Sequence, residues 1–412
     1  MSPADTRTGI LFVDDEPAIL DGLRRKFSIQ DDHWDMHFAK DAASALDILN
    51  RQQIDVVVTD MRMPGMDGAE LLDHVRQHHP AMARFVLSGF SEQEAVFRVL
   101  GPAHQYFAKP CEANTLVNAV ERTMALRRRL RSPELQALIS GATAVPIMPA
   151  TLAHLLDQLQ SPKGSIGEVA RIVSSDIGLT TSVLKFVNSA YFFLPSMVSD
   201  IFQAVKMLGF ELINSLAMLA GIFKSFHGDG TDLATVARLE ETSLSIGLAA
   251  RSIALAEKLS PALVNQCQCA GMLAHVGSLL LFANRSREMA EIQARLDESG
   301  GAIAALESER FGASHQEVGA YLLNLWGFGD GVVEAVLFHH RPSEAGNSDD
   351  HHLGPVAIVH AAQHLVKPRP AAAQLDPWLA ELDLGYFERI GILEKLPDWI
   401  RETARPQTPQ TP

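Results

Sequence analysis

Five polar residues, each placed directly after a short apolar run, carry the chemistry available in the first third of this chain. Asp14-Asp15 follow Gly9-Ile10-Leu11-Phe12-Val13, Asp60 follows Val56-Val57-Val58-Thr59, Ser88 follows Phe85-Val86-Leu87, and Lys109 follows Tyr106-Phe107-Ala108. Three carboxylates brought together repel one another unless a divalent cation joins them, and all-oxygen donors suit Mg2+. A metal that keeps open water positions can also take phosphate oxygens. Asp60 then becomes the nucleophile of a covalent aspartyl phosphate. Ser88 and Lys109 would hold the phosphoryl oxygens and offset the negative charge that develops there. Any one of the five read alone is a strand-end cap or a solvated loop residue. Five at successive strand ends form a pattern that points to phosphoryl transfer.

These residues need a scaffold that presents its strand ends along one edge. The uninterrupted apolar runs at 9–13 and 56–59 have the pattern of strands buried on both faces. Pro17 sits where a helix start tolerates its missing N–H. Residues 35–39 read as an edge strand and 41–51 as a helix. Met63-Pro64-Gly65 turns the chain after Asp60 into an amphipathic segment at 69–79. A strand at 85–88, a helix opened by the capping box Ser91-Glu92-Gln93-Glu94, and a strand at 106–110 come next. Five strands alternating with five helices make a doubly wound parallel sheet. Ligands of such sheets bind beyond the carboxyl ends of the strands.

Composition bounds the rest. The 412 residues are 47% hydrophobic and 20% charged, which describes a globular protein of roughly two to three domains. The net charge of −14 is evenly divided: residues 1–126 carry 12 Lys+Arg against 19 Asp+Glu, or −7, which leaves −7 for the remainder. Neither part has the basic footprint of a nucleic-acid-binding domain. The one basic run, Arg127-Arg128-Arg129-Leu130-Arg131, reads as a solvated helix end. Cys111, Cys267 and Cys269 cannot build a disulfide framework, and Cys267-Gln268-Cys269 lacks zinc-knuckle spacing, so a reducing compartment is expected. No apolar leader and no apolar run of membrane-span length are apparent, so a cytoplasmic protein without membrane insertion is expected.

From residue 112 the pattern turns helical. Residues 112–131 form one amphipathic segment, expected to be the last helix of the first domain running on as a helical linker over 127–134, a device that suits a homodimer. Between 132 and 366 apolar residues recur at three- and four-residue spacing with hardly any strand signal, giving roughly ten to twelve helices. Pro149 opens one, Ser165-Ile166-Gly167-Glu168 and Ser314-His315-Gln316-Glu317 are capping boxes, and Gly209, Gly228-Asp229-Gly230 and Gly300-Gly301 interrupt the pattern. Residues 367–404 read as a helical extension and 405–412 as a disordered tail. His275, His315, His339, His340, His351, His352 and His360 invite a metal reading. Neighbours on a helix point about 100° apart, so His339 and His340 are not expected to share an ion. Without matching carboxylates, these imidazoles are expected to be capped or surface groups.

The pair Asp14-Asp15, Asp60 within Thr59-Asp60-Met61-Arg62-Met63-Pro64-Gly65-Met66-Asp67-Gly68, Ser88, and Lys109-Pro110 together resemble the receiver domain of two-component response regulators, placed here at 1–126. The resemblance implies a flavodoxin-like fold and phosphoryl transfer onto Asp60 from a histidine kinase or a phosphotransfer protein. It implies Mg2+ held by Asp15, Asp60 and the backbone carbonyl of Arg62, with Asp14 in the outer shell. It also implies a conformational switch through Ser88 and Tyr106.

The block from Ile172-Val173-Ser174-Ser175-Asp176-Ile177-Gly178-Leu179 to Phe186-Val187-Asn188-Ser189-Ala190, followed by Ala204-Val205-Lys206-Met207-Leu208-Gly209, resembles the HDOD domain. Looser agreement comes at Ala270-Gly271-Met272-Leu273, His315-Gln316-Glu317-Val318-Gly319, Leu325-Trp326 and His339-His340-Arg341-Pro342. The domain is placed at 135–366, an all-α fold related to the HD and HD-GYP metallophosphohydrolases. Those active relatives carry a His, a His-Asp pair and a later Asp as ligands. By spacing, Thr242, Ala274-His275 and Gln363 stand at those positions. Alanine cannot ligate, and Thr and neutral Gln are poor ligands, so no first shell and no HDOD cofactor are expected. No His-Asp dipeptide occurs between Ser132 and Pro412.

The reading is therefore a phosphorylation-controlled response regulator whose output is binding of a protein target, with His275, His315, His339 and His340 as a surface or vestigial site. The alternative is an HD-GYP-like phosphodiesterase acting on cyclic di-GMP under receiver control. A DNA-contacting regulator would need a basic recognition helix, and no partnership with nucleic acid is expected.

Overall fold

The computed structural model describes residues 7–403 apart from residues 31, 89–101, 162–163, 189–196, 219–223, 226–232, 300–301, 346–352 and 367–381. The helix expected from Ser91, the Gly228 and Gly300 interruptions, His351, His352 and the 405–412 tail lie outside the described residues. Two compact units divide the chain, one built on residues up to 143 and the other on most of residues 144–412.

The first unit runs β1 (Thr8–Val13), α1 (Pro17–Phe27), β2 (Trp34–Ala39), α2 (Ala42–Leu49), β3 (Val56–Asp60), α3 (Gly68–His78), β4 (Ala83–Ser88), β5 (Gln105–Ala108), α4 (Ala113–Arg129) and α5 (Pro133–Gly141). Its five strands are all parallel in the order β2-β1-β3-β4-β5, the expected doubly wound sheet with β2 at an edge. Ile10, Leu11, Phe12 and Val57 are wholly buried, as a sheet covered on both faces requires. Register pairs Val13 with Thr59, Asp60 with Leu87 and Ser88 with Ala108. Asp14, Asp60 and Lys109 are thereby delivered to one edge of the sheet.

The helical linker expected over 127–134 is broken. α4 ends at Arg129, Leu130 is extended (φ −83°, ψ 108°), and the Ser132 hydroxyl caps α5 by accepting from Leu135 N at 3.2 Å. Pro133 enforces the break, because its ring disfavours helical geometry in the preceding residue yet suits the first helical position. The continuous helix that suited a homodimer is therefore absent here. The basic run is not simply solvated either. Arg127 Nη1 lies 2.9 Å from Asp55 Oδ1, and its Nε donates to Gln136 Oε1 at 3.1 Å. Arg84, wholly buried, donates to the carbonyls of Met82 at 3.1 Å and Ser140 at 2.6 Å. Ser140 lies in the last turn of α5, where the helix dipole favours a cation.

The second unit is almost entirely helical: α6 (Pro149–Gln160), α7 (Ile166–Ser174), α8 (Ile177–Val187), α9 (Ile201–Met218), α10 (Leu233–Ala256), α11 (Pro261–Leu273), α12 (Val276–Asn284), α13 (Ser286–Ser299), α14 (Ile303–Phe311), α15 (His315–Leu325), α16 (Asp330–Phe338), α17 (Pro355–Leu365), α18 (Leu384–Arg389) and α19 (Leu396–Thr403). Two short strands, β6 (Pro146–Ile147) and β7 (Lys224–Ser225), pair in parallel. Contrary to the expectation of no run of such length, 261–284 has the length and apolar content of a membrane span. It is mostly buried inside this unit, and Ala274-His275 interrupt it, so it packs as two core helices.

Candidate functional site

The strand-end residues of the first unit meet as an ion cluster. Lys109, just beyond β5, places its Nζ 2.7 Å from Asp14 Oδ2 and also bonds Asp60 Oδ1. Asp60 Oδ2 accepts from Arg62 N at 2.8 Å, and Asp14 Oδ1 from Glu16 N at 2.9 Å. Asp14 and Asp60 are only 2% and 6% exposed, whereas Asp15 is partly exposed. Burial pushes the Asp60 carboxyl above its ordinary value, although Lys109 and the Arg62 N–H work the other way. Burial also works against the charged form of Lys109, but its bonds to Asp14 and Asp60 outweigh it and raise its pKa.

Two carboxylates share one ammonium, Asp15 adds a third acid next to Asp14 in the chain, and a divalent cation would balance the surplus. The donors are oxygens only, so the residues fit Mg2+.

Asp67, in the same loop as Asp60, has a different task. Its carboxylate accepts from Glu70 N at 3.0 Å while Glu70 Oε2 accepts from Asp67 N at 3.1 Å, a capping box that starts α3. Gly68 comes next because nothing larger fits: a Cβ there would lie 2.0 Å from the Asp60 carbonyl oxygen. Ser88 is the last residue of β4, and its description is confined to the backbone. Tyr106 lies opposite Val86 and packs partly buried against the core, which pushes its phenol pKa up.

In the second unit the structure departs from the sequence reading. His275, His315, His339 and His340 converge, with one ring nitrogen from each lying within 4.8 Å of all the others. The adjacent histidines do not diverge as they would on a helix, because α16 ends at Phe338. His339 and His340 lie past its end, with ring centroids 4.2 Å apart. They are not surface groups: His315 and His339 are buried, and His275 and His340 partly so. Burial, reinforced by His315, holds His275 down at about 3, and burial likewise holds His339 and His340 well below the usual imidazole range.

The positions assigned by spacing shift accordingly. Thr242 is exposed and bonds back to the Arg238 carbonyl, whereas its neighbour Ser243 is buried with Oγ 2.9 Å from His275 Nδ1. Gln363 turns its side-chain amide to the His339 carbonyl, to which it donates. His360 is committed elsewhere, with Nδ1 2.7 Å from the same carbonyl and Nε2 accepting from Asp383 N at 3.0 Å.

Comparison with known proteins assigns both units. The family model for the response regulator receiver domain matches residues 10–121, and that for the HDOD domain matches 145–342. The chain is a two-component response regulator with a receiver and an HDOD domain. It is 32% identical over 123 residues to the hydrogenase transcriptional regulatory protein HoxA of Cupriavidus necator, covering 29% of this chain and 25% of that protein. Against the nitrogen assimilation regulatory protein NtrX of Azorhizobium caulinodans it is 34% identical over 142 residues, 33% of this chain and 30% of that one. The crystal structure of the MmoQ response regulator from Methylococcus capsulatus aligns at 25% identity and a TM-score of 0.47, over 63% of this chain and 98% of that one. The chain thus spans about a quarter to a third of these curated relatives' lengths.

Within the HDOD domain the quoted motif has a structural explanation. Asp176 caps α8 by accepting from Leu179 N at 2.8 Å, and its other oxygen accepts from Met148 N at 2.9 Å. Glu240 on α10 lines a small cavity together with Asp176 and was given no role by sequence reasoning. Both are buried, and burial raises the pKa of each; for Glu240 the Asp176 charge adds to the effect. Between the ordinary carboxyl value and the raised one, the unfolded chain has released a proton that the folded chain retains, so stability falls as pH rises. Glu240→Gln should remove that loss and stabilise the domain by about 1–3 kcal/mol at about pH 8, and less at about pH 5. Denaturant unfolding at both values checks this. Equal stability changes at the two pH values would refute the titration.

Proposed function

We propose that Asp60 accepts a phosphoryl group from a histidine kinase or phosphotransfer protein and that the HDOD domain answers by binding a protein target. The observation that carries the first half is the Lys109 ammonium joining the buried carboxylates of Asp14 and Asp60. Mg2+, when held by Asp15, Asp60 and the Arg62 carbonyl with Asp14 behind them, would neutralise charge on the incoming phosphate. Asp60 supplies the attacking oxygen. Lys109 moves from pairing two carboxylates to holding a phosphoryl oxygen, with Ser88 donating to another. Tyr106 would follow Ser88 and alter the surface that includes α4. We place the protein in the cytoplasm.

Affinity capture from the native cell extract, with and without beryllofluoride, tests the binding output. Proteins retained in one state only support it. The same proteins retained equally in both states would reject phosphorylation control.

The phosphodiesterase reading gains one observation, the convergence of the four imidazoles, but among the described residues no carboxylate joins those donors. Hydrolytic zinc sites keep an open position for water, whereas four protein ligands close the shell. We expect no hydrolysis of cyclic di-GMP with added Mn2+ or Fe2+. Turnover that disappears on His339→Ala would promote this reading over the binding one.

A further inference from the structure

We propose that His275, His315, His339 and His340 form a mononuclear, closed, all-imidazole binding site for a transition metal of the Zn2+ class within the HDOD domain. This reverses the expectation that the domain holds no metal.

Hydrogen-bond accounting is the first observation. His315 Nδ1 is 2.6 Å from Glu307 Oε2, His339 Nδ1 is 2.7 Å from the Val336 carbonyl, and His275 Nδ1 is 2.9 Å from Ser243 Oγ. A carboxylate and a carbonyl can only accept, so the protons of His315 and His339 lie on Nδ1. Their Nε2 atoms then carry lone pairs. The Nε2 atoms of His315, His339 and His340 are buried and meet no hydrogen-bond partner among the described residues. Buried polar atoms left unpaired are costly, and three in one cluster require an explanation. A shared cation supplies it.

The donor type selects the ion. Neutral imidazole suits Zn2+, Cu2+, Ni2+ and Fe2+, whereas Mg2+ and Ca2+ take oxygens. Zn2+ has no geometric preference of its own and accepts four ligands at about 2.0–2.1 Å. That corresponds to nitrogens roughly 3.3 Å apart, so atoms already within 4.8 Å need only a modest inward shift. Partial exposure of His275 and His340 leaves a path for the ion.

Glu307 is the second independent observation. It is 0% exposed, and its Oε2 takes both the His315 N–H, at 2.8 Å, and His315 Nδ1. Its Oε1 has no hydrogen-bond partner among the described residues. A carboxylate buried against one imidazole is poorly compensated. A cation on the far nitrogen of that imidazole would polarise the ring and balance the charge. Carboxylate–histidine–metal relays also orient the ligating ring. Gly277 belongs to the same construction, because a Cβ there would stand 2.0 Å from the His315 carbonyl oxygen.

The test uses the full chain, stripped with a chelator, reloaded with Zn2+ alone and dialysed. Metal analysis should find one zinc per chain, and Co2+ in its place should give the intense visible bands of a tetrahedral site. Glu307→Gln, acting as a positioning variant, should weaken zinc affinity roughly 10–100-fold. His315→Gln and the more exposed His340→Gln should each remove stoichiometric binding, with circular dichroism confirming that the chain remains folded. Folded wild type that retains no zinc would overturn the proposal. So would zinc retained undiminished in the folded His340→Gln chain, or a Co2+ spectrum of an octahedral, water-bearing site.

Discussion

Asp60→Asn should abolish labelling of the chain by acetyl phosphate in the presence of Mg2+, while Asp67→Asn leaves it intact. An amide cannot form the acyl phosphate, and no neighbouring carboxylate is equivalent. Asp14 is tied to Glu16 N and Lys109, and Asp67 is a helix cap whose function Asn retains. The expected loss is at least ~100-fold, the scale of removing a covalent nucleophile. Because burial raises the Asp60 carboxyl, labelling should begin to fall at a higher pH than for an exposed aspartate, since only the ionised form attacks. Quantitative labelling across pH, with Asp60→Asn as the blank, checks both points. Label persisting in Asp60→Asn would remove the proposed phosphoacceptor.

Trp399→Ala should unfold or severely destabilise the HDOD domain, even though the family match ends at residue 342. Trp399 on α19 is 0% exposed, its ring meets Phe387 edge-on at 6.2 Å, and its Nε1 donates to Glu257 Oε1 at 2.8 Å. Glu257 also holds Lys395. Removing the indole leaves a cavity and takes one donor from a largely buried carboxylate. The expected cost is about 3–5 kcal/mol, or roughly 6–20 °C in melting temperature for a unit of this size. Trp399→Phe should recover most of the packing but not the hydrogen bond. A melt unchanged by Trp399→Ala would show that the C-terminal helices are dispensable to the domain.

The cluster of polar residues at the strand ends was legible because each of them is bound to a local signal. Asp14, Asp60, Ser88 and Lys109 stand directly after apolar runs, and a parallel sheet collects strand ends on one edge whatever the loop lengths. Apolar runs and the polar residues that end them are properties of consecutive residues, so the parallel sheet and its strand-end residues were read together. The break at Ser132-Pro133 carried an equally local signal, a cap residue followed by proline, but the amphipathic run of 112–131 obscured it.

The HDOD centre could not be reached in this way. His275, His315 and the His339-His340 pair come from three stretches separated by tens of residues, and no periodicity states that their rings meet. The divergence rule for adjacent histidines assumed a helix that in fact ends one residue earlier, at Phe338. Spacing placed Thr242 at the first ligand position, but the packing of α10 turns its neighbour Ser243 toward His275. Buried Arg84 and Glu307 have no local signal of their burial: the Ser140 carbonyl reaches Arg84 from α5, and Glu307 meets His315 only because the chain turns between two helices. Sequence alone determined which polar residues follow the strands, because short-range order encodes them. Only the tertiary structure decided the imidazole cluster and its buried carboxylate, because convergence of side chains far apart in the chain is set by helix packing.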